Sequence, residues 1–197
     1  MPTAETDRPP LDDPVQDAGQ PLALRVVADV LRLRFDPIRR AAELWRRRWG
    51  SASQPQAMAS ATSIMRVQQL LLADFDAVVG RHGLTFARYE ALVLLAFSSA
   101  GELPMSKVGE RLMVHPTSAT NIVQRLEAQG FVSRSPNPRD GRGTLAAITD
   151  SGREVMEAAT ADLVQGGFGM AMLTPEEHDQ LFALLRKVRV ARGDFAE

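Results

Sequence analysis

Thr117, Ser118, Thr120, Asn121, Gln124 and Arg125 form the set whose types and spacing best suit chemistry with a partner. Among them Ile122, Val123 and Leu126 recur at helical spacing. On a helix the apolar set faces a core and the polar set faces out. Hydroxyl, amide and guanidinium groups so displayed hydrogen-bond to base edges and phosphate oxygens. The competing reading is an ordinary polar surface. Ser106 and Lys107 begin an earlier helix, where free backbone N–H groups attract phosphate or are simply capped. His115 precedes Pro116, and either touches phosphate or fixes the helix entry. Further on, Arg139, Asp140 and Arg142 share one short loop. A narrow loop can carry Arg142 into a minor groove, with Asp140 orienting it through a charge-assisted bond. A solvated turn is the alternative there.

These residues need particular elements to position them. The order reads as a short strand (Leu103, Pro104, Met105), a helix opening at Ser106, and a second helix opening at His115–Pro116. Gly130 stops that helix, and a hairpin with the charged loop 136–143 follows. A helix pair followed by a β-ribbon suits entry into DNA grooves.

The bulk properties agree. The chain has 197 residues, 45% hydrophobic, which suggests one domain with an arm. There is no cysteine, so disulfides and thiolate zinc sites are excluded. His82, His115 and His178 are scattered, and no metal site or cofactor is expected. No long apolar run and no basic-then-apolar start appears. No membrane partner is therefore expected, and cytoplasmic residence is the default. The net charge is −1, but it is unevenly spread. Segment 1–20 carries Glu5, Asp7, Asp12, Asp13 and Asp17 against Arg8, whereas 21–50 carries eight Arg against Asp29, Asp36 and Glu43. Segment 103–149 carries Lys107, Arg111, Arg125, Arg134, Arg139 and Arg142 against Glu110, Glu127 and Asp140. Local charge sets the field that a phosphate meets.

Along the chain, 1–20 reads as a disordered acidic tail and 21–55 as a helical arm. In the arm, Asp36 and Pro37 open a helix through Trp45 and Trp49 that stops at Gly50. The Arg46–Arg47–Arg48 run is a solvated face or a contact to flanking DNA. A long helix follows from about Gln56 to Arg81, with Ile64, Val67, Leu71 and Phe75 in its stripe. Thr85 caps the next helix, which Gly101 is expected to end. Thr149 caps another, and Thr174–Pro175–Glu176–Glu177 forms a capping box for the last. The helices of 56–83 and 150–197 carry more apolar surface than one chain can cover, which points to a symmetric homodimer. A dimer would present two recognition helices roughly 34 Å apart to a palindrome. Segment 84–149 is the DNA-binding part.

From Leu84–Thr85 to Gly152 the chain resembles the MarR family of winged helix-turn-helix repressors. Tyr89–Glu90–Ala91–Leu92, Leu103 to Leu112, His115 to Asn121, Arg125 to Val132 and Ile148 to Gly152 carry the resemblance. The family wing reads Asp-Arg-Arg; Asp140–Gly141–Arg142 keeps the Asp and the second Arg. The resemblance implies a winged helix-turn-helix with a helical dimerisation lobe and double-stranded DNA as partner. It also implies repression relieved by a small effector. Residues 21–50 resemble the extra N-terminal helix of a subgroup that includes urate-responsive regulators. That likeness implies a small anionic or aromatic effector held by Trp45, Arg66 and Glu90. The subgroup uses an Arg in the recognition helix, and this chain has Ile122 near that position, which points away from urate toward another carboxylate or aromatic acid. The alternative is that Trp45 packs the arm, the Trp45/Trp49 pair serving core or dimer packing, and that Arg66 is a surface charge.

No phosphate loop, nucleophile elbow or paired His/acid motif is present, so no enzyme is expected. The fold class expected is mainly α with a small antiparallel β-wing. The function expected is a sequence-specific, ligand-responsive repressor on a palindromic operator. A winged-helix protein-interaction module without specific DNA binding is the alternative.

Overall fold

The computed structural model describes residues 33–138, 140 and 143–195. The acidic tail 1–20 and the arm's first residues, 21–32, lie outside the described residues. Contacts divide the chain at Pro37, and the segment from Ile38 onward forms one compact unit. The elements begin with α1 (Pro37–Trp49), a single 3-10 turn at Ser51–Ser53, α2 (Pro55–Gly80) and α3 (Phe86–Ala96). They continue through β1 (Glu102–Pro104), α4 (Met105–Leu112), α5 (Pro116–Ala128), β2 (Val132–Pro136) and β3 (Thr144–Ile148). Helices α6 (Asp150–Gln165) and α7 (Pro175–Ala191) close the chain. The fold is mainly helical with a small antiparallel sheet, as the sequence implies.

Local chemistry accounts for the boundaries. The Thr85 hydroxyl accepts from Arg88 N–H at 3.4 Å, and Thr149 from Gly152 N–H at 3.0 Å. At α7 both halves of the capping box form: Glu177 N–H to Thr174 Oγ1 at 3.3 Å, and Thr174 N–H to Glu177 Oε2 at 2.9 Å. Two expected boundaries move. Gly101 does not end α3, which stops at Ala96; a turn through Ser98 intervenes, and Gly101, at φ +69°, redirects the chain into β1. The next helix opens at Met105 rather than Ser106, because Pro104 takes the N-cap position with no side-chain cap.

The sheet order is β1-β3-β2, all antiparallel, so β3 is central. Leu103 pairs with Ala146, and Val132 with Ile148. The core gathers Leu92 and Leu95 of α3, Val108 of α4, Ala119, Val123 and Leu126 of α5, and Ala146 of β3. Val79 from α2 and Met156, Ala159 and Leu163 from α6 join the same cluster. Both flanking helices thus share one core with α3, α4, α5 and β3.

The corner between α2 and α3 is tied to α6. His82 Nε2 lies 2.8 Å from Asp162 Oδ2, and Arg81 Nη2 lies 3.3 Å from the same oxygen. The hydrogen bond from His82, aided by Arg81, holds the Asp162 carboxyl below the usual carboxylate range. Between α6 and α7, Gly167, Phe168 and Gly169 take φ of +56°, +50° and +67°, one left-handed turn. Phe168 keeps that costly backbone while its ring meets Phe75 edge-on at 6.1 Å. Asp74, on α2, is half-buried, and burial raises its carboxyl above the usual range.

Elsewhere apolar side chains are uncovered. On α2, Ile64, Met65, Val67, Leu70 and Leu72 are exposed, and on α7 Phe182, Leu184 and Val188 are exposed. Neither α1 nor α7 buries a residue. No helix among the described residues is long and apolar enough to cross a membrane.

Candidate nucleic-acid interface

The site is built on the crossing of α4 and α5. A Cβ on Gly109 would stand 3.5 Å from Ala119 Cβ, so the two helices meet closely at that glycine. Met113 turns the chain between them with φ +55°, and Val114 N–H bonds back to the Gly109 carbonyl at 3.1 Å. His115 then caps α5, its Nδ1 accepting the Thr117 N–H at 3.3 Å. The helix-entry role of His115 is therefore present. A neutral ring that accepts at Nδ1 carries its proton on Nε2, a donor suited to a phosphate oxygen. The phosphate role is compatible with the cap.

Along α5, Val123 and Leu126 are buried and Ile122 is half-buried. Thr117, Ser118, Thr120, Asn121, Gln124 and Arg125 are all exposed. At 3.6 residues per turn these six span an arc of about 160°, opposite the buried set. Thr120 Oγ1 donates to the Pro116 carbonyl at 2.9 Å, so toward a partner it acts as an acceptor. Ser106 and Lys107 occupy the first turn of α4 and are exposed. Lys107 Nζ lies 2.6 Å from Glu110 Oε2, and that pair pulls the Glu110 carboxyl below its ordinary range.

The hairpin is closed by Asn137 N–H to the Gly143 carbonyl at 2.9 Å and Gly143 N–H to the Asp140 carbonyl at 2.8 Å. Asp140 is exposed at its tip. Arg139 and Arg142 lie outside the described residues. Two contacts brace the site that residue types did not reveal. Arg134 of β2 grips Glu127 of α5, with Nε at 2.7 Å and Nη2 at 2.6 Å from Oε2. Arg134 thus ties wing to recognition helix, although it counted only as local positive charge in the sequence. Gln129, at the end of α5, donates to the Gly83 carbonyl at 2.9 Å and accepts from Arg88 Nη1 at 2.7 Å. A seven-residue spacing across a helix end could have suggested Arg134–Glu127. Nothing local signals a partner for Gln129 more than forty residues away.

The three effector candidates stand apart in their bonding. Trp45 Nε1 donates to the Ser53 carbonyl at 3.1 Å, and its ring lies 4.5 Å from that of Trp49. Arg66 is exposed and donates to Gln69 Oε1 at 3.3 Å. Glu90 is exposed on α3, with enough neighbouring protein for desolvation to raise its carboxyl. Among the described residues no hydrogen bond or ion pair joins any two of the three. Arg66 also stands about 20 Å along the helix axis from Val79, the residue α2 inserts into the core.

A helix-turn-helix with an open polar face, continued by a three-stranded wing, defines a winged helix-turn-helix regulator. The comparisons agree. The profile of the MarR family matches residues 82–143. Sco5413 of Streptomyces coelicolor, a MarR family transcriptional regulator of known structure, is 63% identical with a TM-score of 0.67, covering 72% of this chain and 99% of that one. Sco3205 of the same organism, a MarR family regulator solved in complex with DNA, is 30% identical with a TM-score of 0.62, covering 66% and 82%. YdgJ of Bacillus subtilis, an uncharacterized HTH-type transcriptional regulator, is 30% identical over 124 residues, 62% of this chain and 73% of that one. This chain belongs to the MarR family of transcriptional regulators.

Proposed function

We propose that the protein is a homodimeric repressor that reads a palindromic operator through α5. The observation that carries this reading is the exposed arc of Thr117, Asn121, Gln124 and Arg125 on a helix whose opposite side is core. Asn and Gln suit adenine edges and Arg suits guanine or phosphate. Ser106, Lys107, His115, Ser118 and Thr120 flank that arc and serve backbone contacts. In the wing, Arg142 enters the minor groove with Asp140 orienting it, and Arg139 adds charge beside them. Sco3205 in its complex with DNA supports the same partner here. The dimer reading rests on the uncovered apolar residues of α2 and α7.

Selection from a random duplex pool tests the proposal. An inverted repeat is the expected consensus, and a pool that stays random overturns the reading. In that case protein docking by the winged helix would take its place.

The effector part of the proposal rests on residue types. Arg66 supplies charge, Trp45 a flat wall and Glu90 an acceptor for a small anionic or aromatic acid. Acids that bind should release labelled DNA from the wild type and not from Arg66→Ala. Equal release from both would show that the pocket lies elsewhere.

A further inference from the structure

We propose that Gln129 is a positioning residue that fixes the recognition helix against the dimer lobe and so sets the spacing of half-sites the protein accepts. The inference rests on the homodimer and operator reading above. Its basis is one side chain that spans two elements. The Gln129 carboxamide gives its N–H to the Gly83 carbonyl and takes an N–H from Arg88, at 2.9 and 2.7 Å. Both ends of that amide are therefore engaged.

The two partners belong to one corner. Gly83, at φ +72°, forms the turn between α2 and α3, and Arg88 sits in the first turn of α3. Arg88 Nε is itself held by Thr85 Oγ1 at 3.3 Å, and the Phe86 N–H by Asp76 Oδ1 of α2 at 2.7 Å. The other side of the corner is tied to α6 through His82 and Asp162. The corner is thus where the long helix hands over to the DNA-binding part. Gln129 is the side chain that passes its orientation to the end of α5. Gln129 touches no DNA in this scheme. It lies past the last residue of α5, and its amide oxygen and nitrogen are already bonded to Arg88 and Gly83.

An apolar replacement leaves the recognition helix held by its core contacts but releases this latch. The two copies of α5 then vary more in separation and angle. Each inserted base pair moves one half-site by about 3.4 Å, so a loosened latch broadens the range of spacings bound.

The test uses the full chain with duplexes whose half-sites are spaced in steps of one base pair. Gln129→Ala is the main variant, and Gln129→Met keeps the side-chain length should the alanine variant fold poorly. The wild type should show a sharp optimum. In the variants the preference for that spacing over its neighbours should shrink by about fivefold or more, the scale of losing two such hydrogen bonds. The slope of log K against log salt should stay unchanged, because no phosphate contact is removed. A profile identical to the wild type, or an equal loss at every spacing, overturns the inference while leaving the DNA reading intact. A wild type that binds none of the duplexes overturns the DNA reading and this inference together.

Discussion

Lys107 illustrates how a residue can serve two masters. Its ammonium is well placed in the first turn of α4 for a phosphate, yet it is held at 2.6 Å by Glu110 in the free protein. A phosphate contact by Lys107, as proposed above, would break or share that pair. Both side chains are exposed, so the pair itself adds little stability. Glu110→Gln should therefore tighten DNA binding, most of all at low salt, with the melting temperature hardly altered. Lys107→Ala should instead reduce the salt slope by about one unit. Fluorescence anisotropy across a salt series reads both.

Asp74 makes a second case at this scale. Burial raises its carboxyl, so the native state holds a proton more tightly than the unfolded chain does. Stability from this group is greatest below the unfolded value of 3.8 and declines as pH rises through the raised native value. Asp74→Asn should be more stable than wild type at pH 7, with the gap closing near pH 3. Urea midpoints across that range check the sign. Asp162 runs the other way. Its lowered carboxyl contributes stability above 3.8 that is lost as pH falls through the lower native value.

At the scale of elements, the junction of wing and helix α6 is closely packed. Thr149 bonds to Phe131 and Gly130 with N–H and hydroxyl, at 3.0 and 2.8 Å. Gly152, in the first turn of α6, has no room for a side chain, since a Cβ would collide with the Phe131 carbonyl. Alanine normally favours a helix over glycine by about 1 kcal/mol. Here Gly152→Ala should reverse that and destabilise by roughly 1–3 kcal/mol, as overpacking against backbone does. A urea midpoint above that of wild type would contradict this packing argument.

Much of this level was legible beforehand. Thr85, Thr149 and Thr174 declare helix starts through hydroxyls acting a few residues away, and the helical spacing of Val123 and Leu126 declares the buried side of α5. Such signals act within one or two turns of chain. The β1–β3 pairing, the Gln129 latch and the His82–Asp162 tie join residues 40 or more positions apart, and no local pattern encodes them. The left-handed Phe168 was hidden for a different reason. Its flanking glycines mark a turn, but only the packing of its ring on Phe75 keeps a phenylalanine there.

For the whole molecule, the uncovered residues decide the prediction. Phe182 and Leu184 are 63% and 66% exposed on a helix that buries nothing. Sedimentation at micromolar concentration should give twice the chain mass. Leu184→Glu should shift that equilibrium toward the single chain and weaken operator binding in step, because one recognition helix loses its partner. A variant that stays dimeric would move the interface away from α7.

Helix α2 has 26 residues and is therefore a rod about 39 Å long, which enters the core at Val79 with Phe75 and Val78 packed beside it. Such a rod is a lever. A tilt of about 5° at one end sweeps the other through about 3.4 Å, the rise of one base-pair step. If the far end of this rod is held in a dimer, as proposed above, an angular change of that size there equals a whole base-pair step at the end that carries Val79.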